Sequence, residues 1–405
     1  MDPNEILTAL FSSEGRADPY PLYAALHEHG AVVGQDGFVL VPGYDAANGV
    51  LRDPAFRVLD AARYDEVMPG WRDHASMGAD SILSLNPPLH GRIRGLISRE
   101  FTPRRVAGLA SPVGLMTDRL LDDMAERGAD GSPVEFMHDF AFLLPVAVIC
   151  ELIGIPEADR ETFRPLARAL VATLEPETLT EQQWADADAA AVWLNEYFAE
   201  LAAERRAVPR DDLISALVGI RDSADGRLSN SQLQDNLVLL LVAGFETTAN
   251  LLGNGLRIIL DNPALGRQLA SGELAVTGFV EEVLRYDSPV QLTSRRAADP
   301  ATVGGHPVPA NYDILLFLAA ANRDARRFSD PDVFKADRAE GPPLSFGGGA
   351  HFCLGSALAR QEAVVAFPKI MRRFPGIAAA GEPVRKDALV LRGFESMPVR
   401  VAGGH

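Results

Sequence analysis

The sequence predicts a mainly α fold with small β-sheets, and three observations predict it. From Leu89 to Glu204 apolar residues recur at helical spacing, with breaks near Pro103, Gly131 to Pro133, Gly154 to Pro156 and Pro176. A longer helical candidate follows Asp225-Gly226 and continues to Leu260, spanning about 45 Å at roughly 1.5 Å of rise per residue. Strand-like patterning is confined to short stretches towards the two ends, without the regular βαβ alternation of a doubly wound sheet. Hydrophobic residues make up 47 % of the 405, enough for a large core.

Taken in order, the elements have local causes. Asp18-Pro19 and Pro21 punctuate the start, and Leu22 to His29 reads as a short helix. Val32, Val33, Phe38, Val39 and Leu40 flank Asp36-Gly37, a turn dipeptide between apolar residues, so a small hairpin is expected. Tyr64 to Leu85 is an irregular loop containing Pro69, Gly70 and Gly78. Its Met68, Trp71, Met77 and Leu85 either line a pocket or pin the loop to the core. Trp184 and Trp193 fall on opposite faces if one straight helix holds both, so one is expected to pack inward and the other against a neighbouring element.

Ser229 and Gln232 form a capping box at the start of the long helix. Its run LVLLLVAGF is apolar on all sides, so its middle is buried. Glu246, Thr247 and Thr248 follow at once. A carboxylate and two hydroxyls in a buried helix centre need either helix carbonyls to bond or a chemical task. Beyond it come a helix from Phe279 to Tyr286 and extended pieces from Pro289 to Val308 that turn at Gly304-Gly305. A glycine-rich loop then leads into a helix from about Leu354 to Arg373, and Val390 to Val401 alternates as strands do.

Composition excludes several classes. Acidic side chains outnumber basic ones 55 to 38, for a formal net charge of -17 at pH 7, which argues against a general nucleic-acid binder. Two cysteines are too few for a disulfide scaffold and suit a reducing compartment. The N-terminus has no basic segment followed by an apolar run, so no secretory signal is expected. The apolar run Leu237 to Phe245 is far short of a membrane span. A cytoplasmic protein without a membrane anchor is the expectation.

The sharpest feature is Phe346-Gly347-Gly348-Gly349-Ala350-His351-Phe352-Cys353-Leu354-Gly355. Glycines let the backbone turn tightly and approach a flat partner. Cys353 falls near a helix N-terminus, where unpaired N–H groups favour a thiolate. The loop lacks the Lys-Ser/Thr ending of a phosphate-binding P-loop, and one cysteine with one histidine is a poor zinc site. Axial thiolate to a haem iron, nucleophile and structural cysteine remain as readings of the spacing alone. Cys150, within VAVICELIGI, reads as a small core residue.

At this loop the sequence resembles the cytochrome P450 family, whose haem loop runs Phe-Gly-x-Gly-x-His-x-Cys-x-Gly. Phe346, Gly347, Gly349, His351, Cys353 and Gly355 match every fixed position. The resemblance implies the fold of that family, a triangular helix-rich prism with a long central helix over haem. It implies one domain over 1–405, with the β-containing regions about 30–60 and 290–405 packed on the helical core. It also implies haem b ligated by the Cys353 thiolate, shielded by Phe346, with His351 bonding a propionate. Ala243-Gly244-Phe245-Glu246-Thr247-Thr248 is similar to the family's oxygen-activation segment. By that likeness Ala243 and Gly244 let haem and dioxygen approach the backbone at a local kink or bulge. Thr247 hydrogen-bonds dioxygen and orders water, Glu246 relays protons, and Thr248 serves the helix.

Other segments extend the resemblance from about residue 15 to 402. Glu282 and Arg285, alone a common surface pair, correspond to a buried anchor that Arg338 completes. His90 and Arg94, four apart in PPLHGRIR, and Arg295 correspond to propionate donors beside His351. Asn86 and Leu89 stand where the family usually has carboxylates. Leu391 to Val399 is expected to end in a hairpin whose tip reaches the pocket. The pocket candidates are Met68, Trp71, Met77, Leu85, Leu239, Ala243, Val290, Gln291, Leu292 and Phe394, mostly apolar.

The implied activity is haem-thiolate monooxygenation: dioxygen activated to hydroxylate or epoxidise a hydrophobic molecule, with a lean towards polyketide or macrolide-type secondary metabolites. Terpenoid, steroid and fatty acid substrates stay open, as do oxidative coupling or rearrangement without oxygen insertion and a haem-based sensor. Electrons are expected from an external ferredoxin and ferredoxin reductase, and the protein as a monomer. Arg92, Arg99, Arg104 and Arg105 either face that acidic partner or are solvated helix charge.

Overall fold

A computed structural model describes residues 1–35, 37–60, 74, 78–99, 101–175, 178–222 and 228–401. Helices dominate, and the sheets are small. The chain divides into two compact units: Met1–Arg57, Val113–Leu144 and Thr247–His405 form the first, Val58–Pro112 and Pro145–Glu246 the second. Met68, Trp71 and Met77 lie outside the described residues.

Every described strand belongs to the first unit. Its largest sheet has the order Val33–Gly34, Phe38–Val41, Asp313–Leu316, Thr293–Ala297, Phe56–Arg57. The first two strands are the expected hairpin, with Val33 opposite Leu40. Phe38–Val41 then runs parallel to Asp313–Leu316, so distant parts of the chain share one sheet. Alternation sorts the side chains. Val39, Val41, Ile314 and Leu316 pack with Tyr44, Val50 and Leu51 of the helix Tyr44–Arg52, while Leu40 packs with Tyr23, Leu26 and Phe317. Each such burial is worth about 1.5–3 kcal/mol relative to exposure.

The last strands depart from expectation. Phe394–Ser396 pairs with Val384–Arg385, whereas Pro398–Arg400 pairs with Val134–Glu135 and Ala378–Ala379. They do not form a hairpin with each other. The Met397 N–H donates to Glu135 Oε1 at 2.5 Å, the Ser396 hydroxyl to Glu135 Oε2 at 2.7 Å, and the Met397 carbonyl accepts from the Phe136 N–H. Glu135 thus draws the chain from one sheet to the next.

The ends of the first unit are tied by a buried charge cluster that sequence reading missed. Asp287 accepts from Arg392 Nε (2.7 Å), Arg385 Nη2 (3.1 Å) and the Tyr20 hydroxyl (2.9 Å), and Arg392 Nη1 reaches the carbonyls of Arg16 and Ala17. Burial alone would raise the Asp287 carboxyl. Arg392, Arg385 and Tyr20 more than reverse this and hold it well below the usual carboxylate range. A depressed carboxylate stabilises the fold in full above the unfolded pKa of about 4, and that stabilisation is lost as pH falls through the folded value. Asp287→Asn is therefore expected to cost about 3 kcal/mol at neutral pH, because it leaves two guanidiniums buried without their anion. In urea unfolding the gap between variant and parent should narrow as pH drops below about 4; a gap independent of pH would contradict this account.

The described part of the second unit is helical. Pro103 opens the helix Pro103–Gly108, with the Thr102 hydroxyl capping the Arg105 N–H at 3.2 Å. Trp184 and Trp193 both sit on the helix Glu181–Ala207, and neither enters the core. Trp184 stacks on His74 (ring centroids 4.1 Å) and Trp193 on Tyr197 (5.4 Å). The core face of that helix is instead taken by Ala187, Ala190, Ala191, Leu194 and Phe198. Buried Arg205 bonds Asp212 (2.6 Å) and the Gly154 carbonyl (2.7 Å).

The long helix is Asn230–Asp261, 32 residues, opened by the Ser229–Gln232 capping box. Its residues up to Glu246 belong to the second unit and those from Thr247 to the first. By length and apolarity alone it passes as a membrane span, but 61 % of its most apolar window is buried inside the protein, as in a core helix. Asn236 and Asp235 accept the Ile82 and Asp80 N–H groups at 3.0 and 2.9 Å, fastening the 78–86 segment to its first half.

Candidate active site

The cysteine loop is shaped by three local devices. The Cys353 N–H donates to the Phe346 carbonyl at 2.9 Å, and Gly347 N–H to the Leu344 carbonyl at 2.8 Å. Gly347 and Gly349 hold φ of 68° and 63°, the left-handed region that favours glycine. A Cβ on Gly349 would lie 2.0 Å from the Leu51 carbonyl oxygen. The close approach that this glycine permits is thus to protein backbone at the end of Tyr44–Arg52, a reason beyond the flat partner the sequence suggested. Two residues past Cys353, Gly355 is the N-cap of Ser356–Arg373 and has no side chain of its own to cap it. The positive end of that helix favours a thiolate.

Phe346 is held beneath a guanidinium: Arg360 lies 4.4 Å from its ring centroid and pairs with Glu281. Behind the loop, Ser345 and Ser288 hydroxyls bond each other and the Asn322 amide (2.8–3.0 Å), while Asn322 Oδ1 accepts the Leu344 N–H at 2.6 Å. This network leads to the Glu282 anchor. Arg285 forks onto Glu282 at 2.7 and 2.8 Å and bonds the carbonyls of Asn322 and Pro331. Arg338 bonds Glu282 at 3.1 Å and the carbonyls of Ser329 and Val333. Asn322, Ser288 and Ser345 escaped sequence reading; their signal was polarity at helix and loop ends beside apolar runs.

On the long helix, Glu246 and Thr248 are buried. Leu239, Ala243 and Thr247, four apart, are more accessible and share one face. The helix runs unbroken through them, so the expected bulge is absent; the buried neighbours Phe245, Thr248 and Ala249 hold it in register. Gly244 was expected to admit the cofactor. A Cβ there would lie 2.8 Å from Ile149 of the helix Leu143–Ile153, so its smallness serves helix packing.

The remaining candidates fall in separate places. His90, fully buried, and Arg94, half-buried, share a face of the helix Leu89–Ser98 in the second unit. In the first unit, Arg295 is 6 % exposed on Thr293–Ala297 and bonds the Ser294 carbonyl (2.6 Å) and the Thr293 hydroxyl (3.4 Å). Burial lowers its pKa to about 10, and no carboxylate among the described residues pairs with it. His351 is half-buried in the loop, on the turn Gly349–His351. Gln291 is spent internally, accepting from the Tyr23 hydroxyl and donating to the Ser288 carbonyl. Val290 and Leu292 pack against the two core clusters. Leu85 is half-buried, and Phe394 is buried with Arg385 stacked 3.8 Å from its ring centroid.

These donors suit a haem. Cys150 is buried, and desolvation pushes its thiol up to about 12, so it stays protonated. Cys353 is exposed on its loop at a helix N-terminus. Arg295 is a buried cation with no carboxylate partner among the described residues, which suits a propionate site.

A family model described as Cytochrome P450 matches residues 275–390. The 6-deoxyerythronolide B hydroxylase of Saccharopolyspora erythraea is 35 % identical over 97 % of this chain and 98 % of its own length. The vitamin D(3) 25-hydroxylase of Pseudonocardia autotrophica is 35 % identical over 96 % and 95 %. The ligand-free crystal structure of CYP164A2 of Mycobacterium smegmatis, 36 % identical, matches with a TM-score of 0.87 over 98 % of this chain and 100 % of that one. With the family's haem loop, the buried Glu282–Arg285–Arg338 anchor and likeness along nearly its whole length, the chain belongs to the cytochrome P450 family, as a haem-thiolate monooxygenase.

Proposed function

We propose that this monooxygenase hydroxylates or epoxidises a macrolactone-type polyketide in the cytoplasm, with electrons delivered by a ferredoxin and its reductase. The observation that carries the reading is the accessible line Leu239, Ala243, Thr247 along one face of the long helix: two apolar side chains lead to one hydroxyl. An apolar wall with a single polar group suits a large hydrophobic substrate. Similarity to the 6-deoxyerythronolide B hydroxylase supports the substrate class. Equal identity to the vitamin D(3) hydroxylase supports a second reading, a secosteroid-like substrate.

In this reading Cys353 holds the haem iron, and His90, Arg94, Arg295 and His351 hold its propionates. The haem, when bound, supplies dioxygen activation and oxygen insertion. Thr247 holds water and dioxygen by its hydroxyl, and Glu246 passes protons to it. Arg99 and Arg104 stay exposed for an acidic electron donor, whereas Arg105 is paired with Asp211 at 2.7 Å.

Difference spectra of the holoenzyme titrated with macrolactones, secosteroids and fatty acids test the substrate. A low-spin to high-spin change with macrolactones alone supports the first reading, and one with secosteroids alone overturns it. Thr247→Ala is expected to keep that spectral response while product per NAD(P)H falls about tenfold and hydrogen peroxide rises, because proton delivery is worth of order 10² or more.

A further inference from the structure

The long helix carries a polar line at four-residue spacing, Glu246, Asn250 and Asn254, all buried. The two asparagines are used differently. Asn254 is complete: its amide donates to the carbonyls of Asp287 (2.9 Å) and Arg392 (3.2 Å), and its oxygen accepts from Arg385 (3.1 Å). Asn250, with no exposed surface, uses only its oxygen, which accepts from Lys386 Nζ at 2.9 Å. An ammonium only donates, so this contact fixes which end of the amide is which. The Asn250 NH2 therefore points away from Lys386, and it has no acceptor among the described residues. A Cβ on Gly393 would lie 2.1 Å from Asn250 Oδ1, so the backbone just before Phe394–Ser396 is pressed close on that side.

A buried NH2 of this kind is characteristically met by an ordered water. Side chains three and four residues apart on a helix are about 5–6 Å apart, the span of one water bonded to both. The polar side chains at that spacing before Asn250 are Thr247 and Glu246. We propose that Asn250 holds a catalytic water beside Glu246 and Thr247. Lys386 keeps the amide turned so that its NH2 faces that water. Both are positioning residues for proton delivery, and the inference rests on the relay reading of Glu246 and Thr247.

The test uses the holoenzyme and its Asn250→Leu, Lys386→Met and Thr247→Ala variants. A high-resolution crystal structure of the parent should show a water within hydrogen-bonding distance of Asn250 Nδ2. Asn250→Leu, close in shape, loses the Lys386 contact and should melt somewhat lower than the parent, yet bind substrate with an unchanged spectral Kd. Its product per NAD(P)H should fall about fivefold, with a changed solvent isotope effect. Lys386→Met should show the same split more weakly, and Asn250→Ser, which restores a donor, should recover coupling. An Nδ2 bonded to protein with no water present overturns the inference. So does unchanged coupling in Asn250→Leu while Thr247→Ala uncouples; the relay reading then survives alone. If Thr247→Ala stays coupled, the relay reading fails and takes this inference with it.

Discussion

Cys353→Ser is expected to remove the red-shifted Soret band of the reduced, carbon monoxide-treated protein and to cut substrate oxidation by about 10³-fold or more, roughly 4 kcal/mol of transition-state stabilisation. A serine hydroxyl stays protonated where a thiol near a helix N-terminus ionises. The loop itself should survive, because it is closed by the Cys353 backbone N–H and not by its side chain. Cys150→Ser is the control. Its thiol, pushed up to about 12 by burial, supplies no thiolate, so that variant should keep the band. A shifted band that persists in Cys353→Ser would remove the basis of the site.

Glu282→Ala should be the most damaging change to the fold. It strips Arg285 (1 % exposed) of its anion and leaves the buried Arg338 with Glu340 alone, at 3.3 Å. Breaking a buried pair in this way costs about 3–5 kcal/mol, a large part of the stability of a typical domain. The loss should spread to the cysteine loop through Asn322 and Ser345. Glu282→Gln keeps two hydrogen-bonding atoms and should lose less, leaving folded protein to measure. Urea midpoints and haem content should fall together across parent, glutamine and alanine. A glutamine variant as stable as the parent would show that geometry, not charge, makes the anchor.

What the sequence made legible was local. The cysteine loop is a contiguous run, so every matched residue could be found without knowing the fold. The capping box at Ser229 and the pairing of Val33–Gly34 with Phe38–Val41 were likewise set by neighbours in sequence. The misses are long-range. Asp287 is unremarkable beside Tyr286; it becomes a buried hub only because Tyr20, Arg385 and Arg392 arrive from elsewhere. The hairpin expected at Leu391 to Val399 failed for the same reason, since Glu135, more than 250 residues earlier, redirects the strand. Gly244 shows a subtler limit. Its size was read as room for the cofactor, and only the fold reveals that Ile149 also packs against it.

The seat of Gly349 on the Leu51 carbonyl has a kinetic consequence. The same helix is pinned to the far end of the chain by the Tyr44 hydroxyl, which bonds the Pro342 carbonyl across 298 residues of sequence. Closing so wide a loop is slow and comes after local helices have formed. The surface against which the cysteine loop settles is thus synthesised early and met late, so the two come together only after the helices between them have formed.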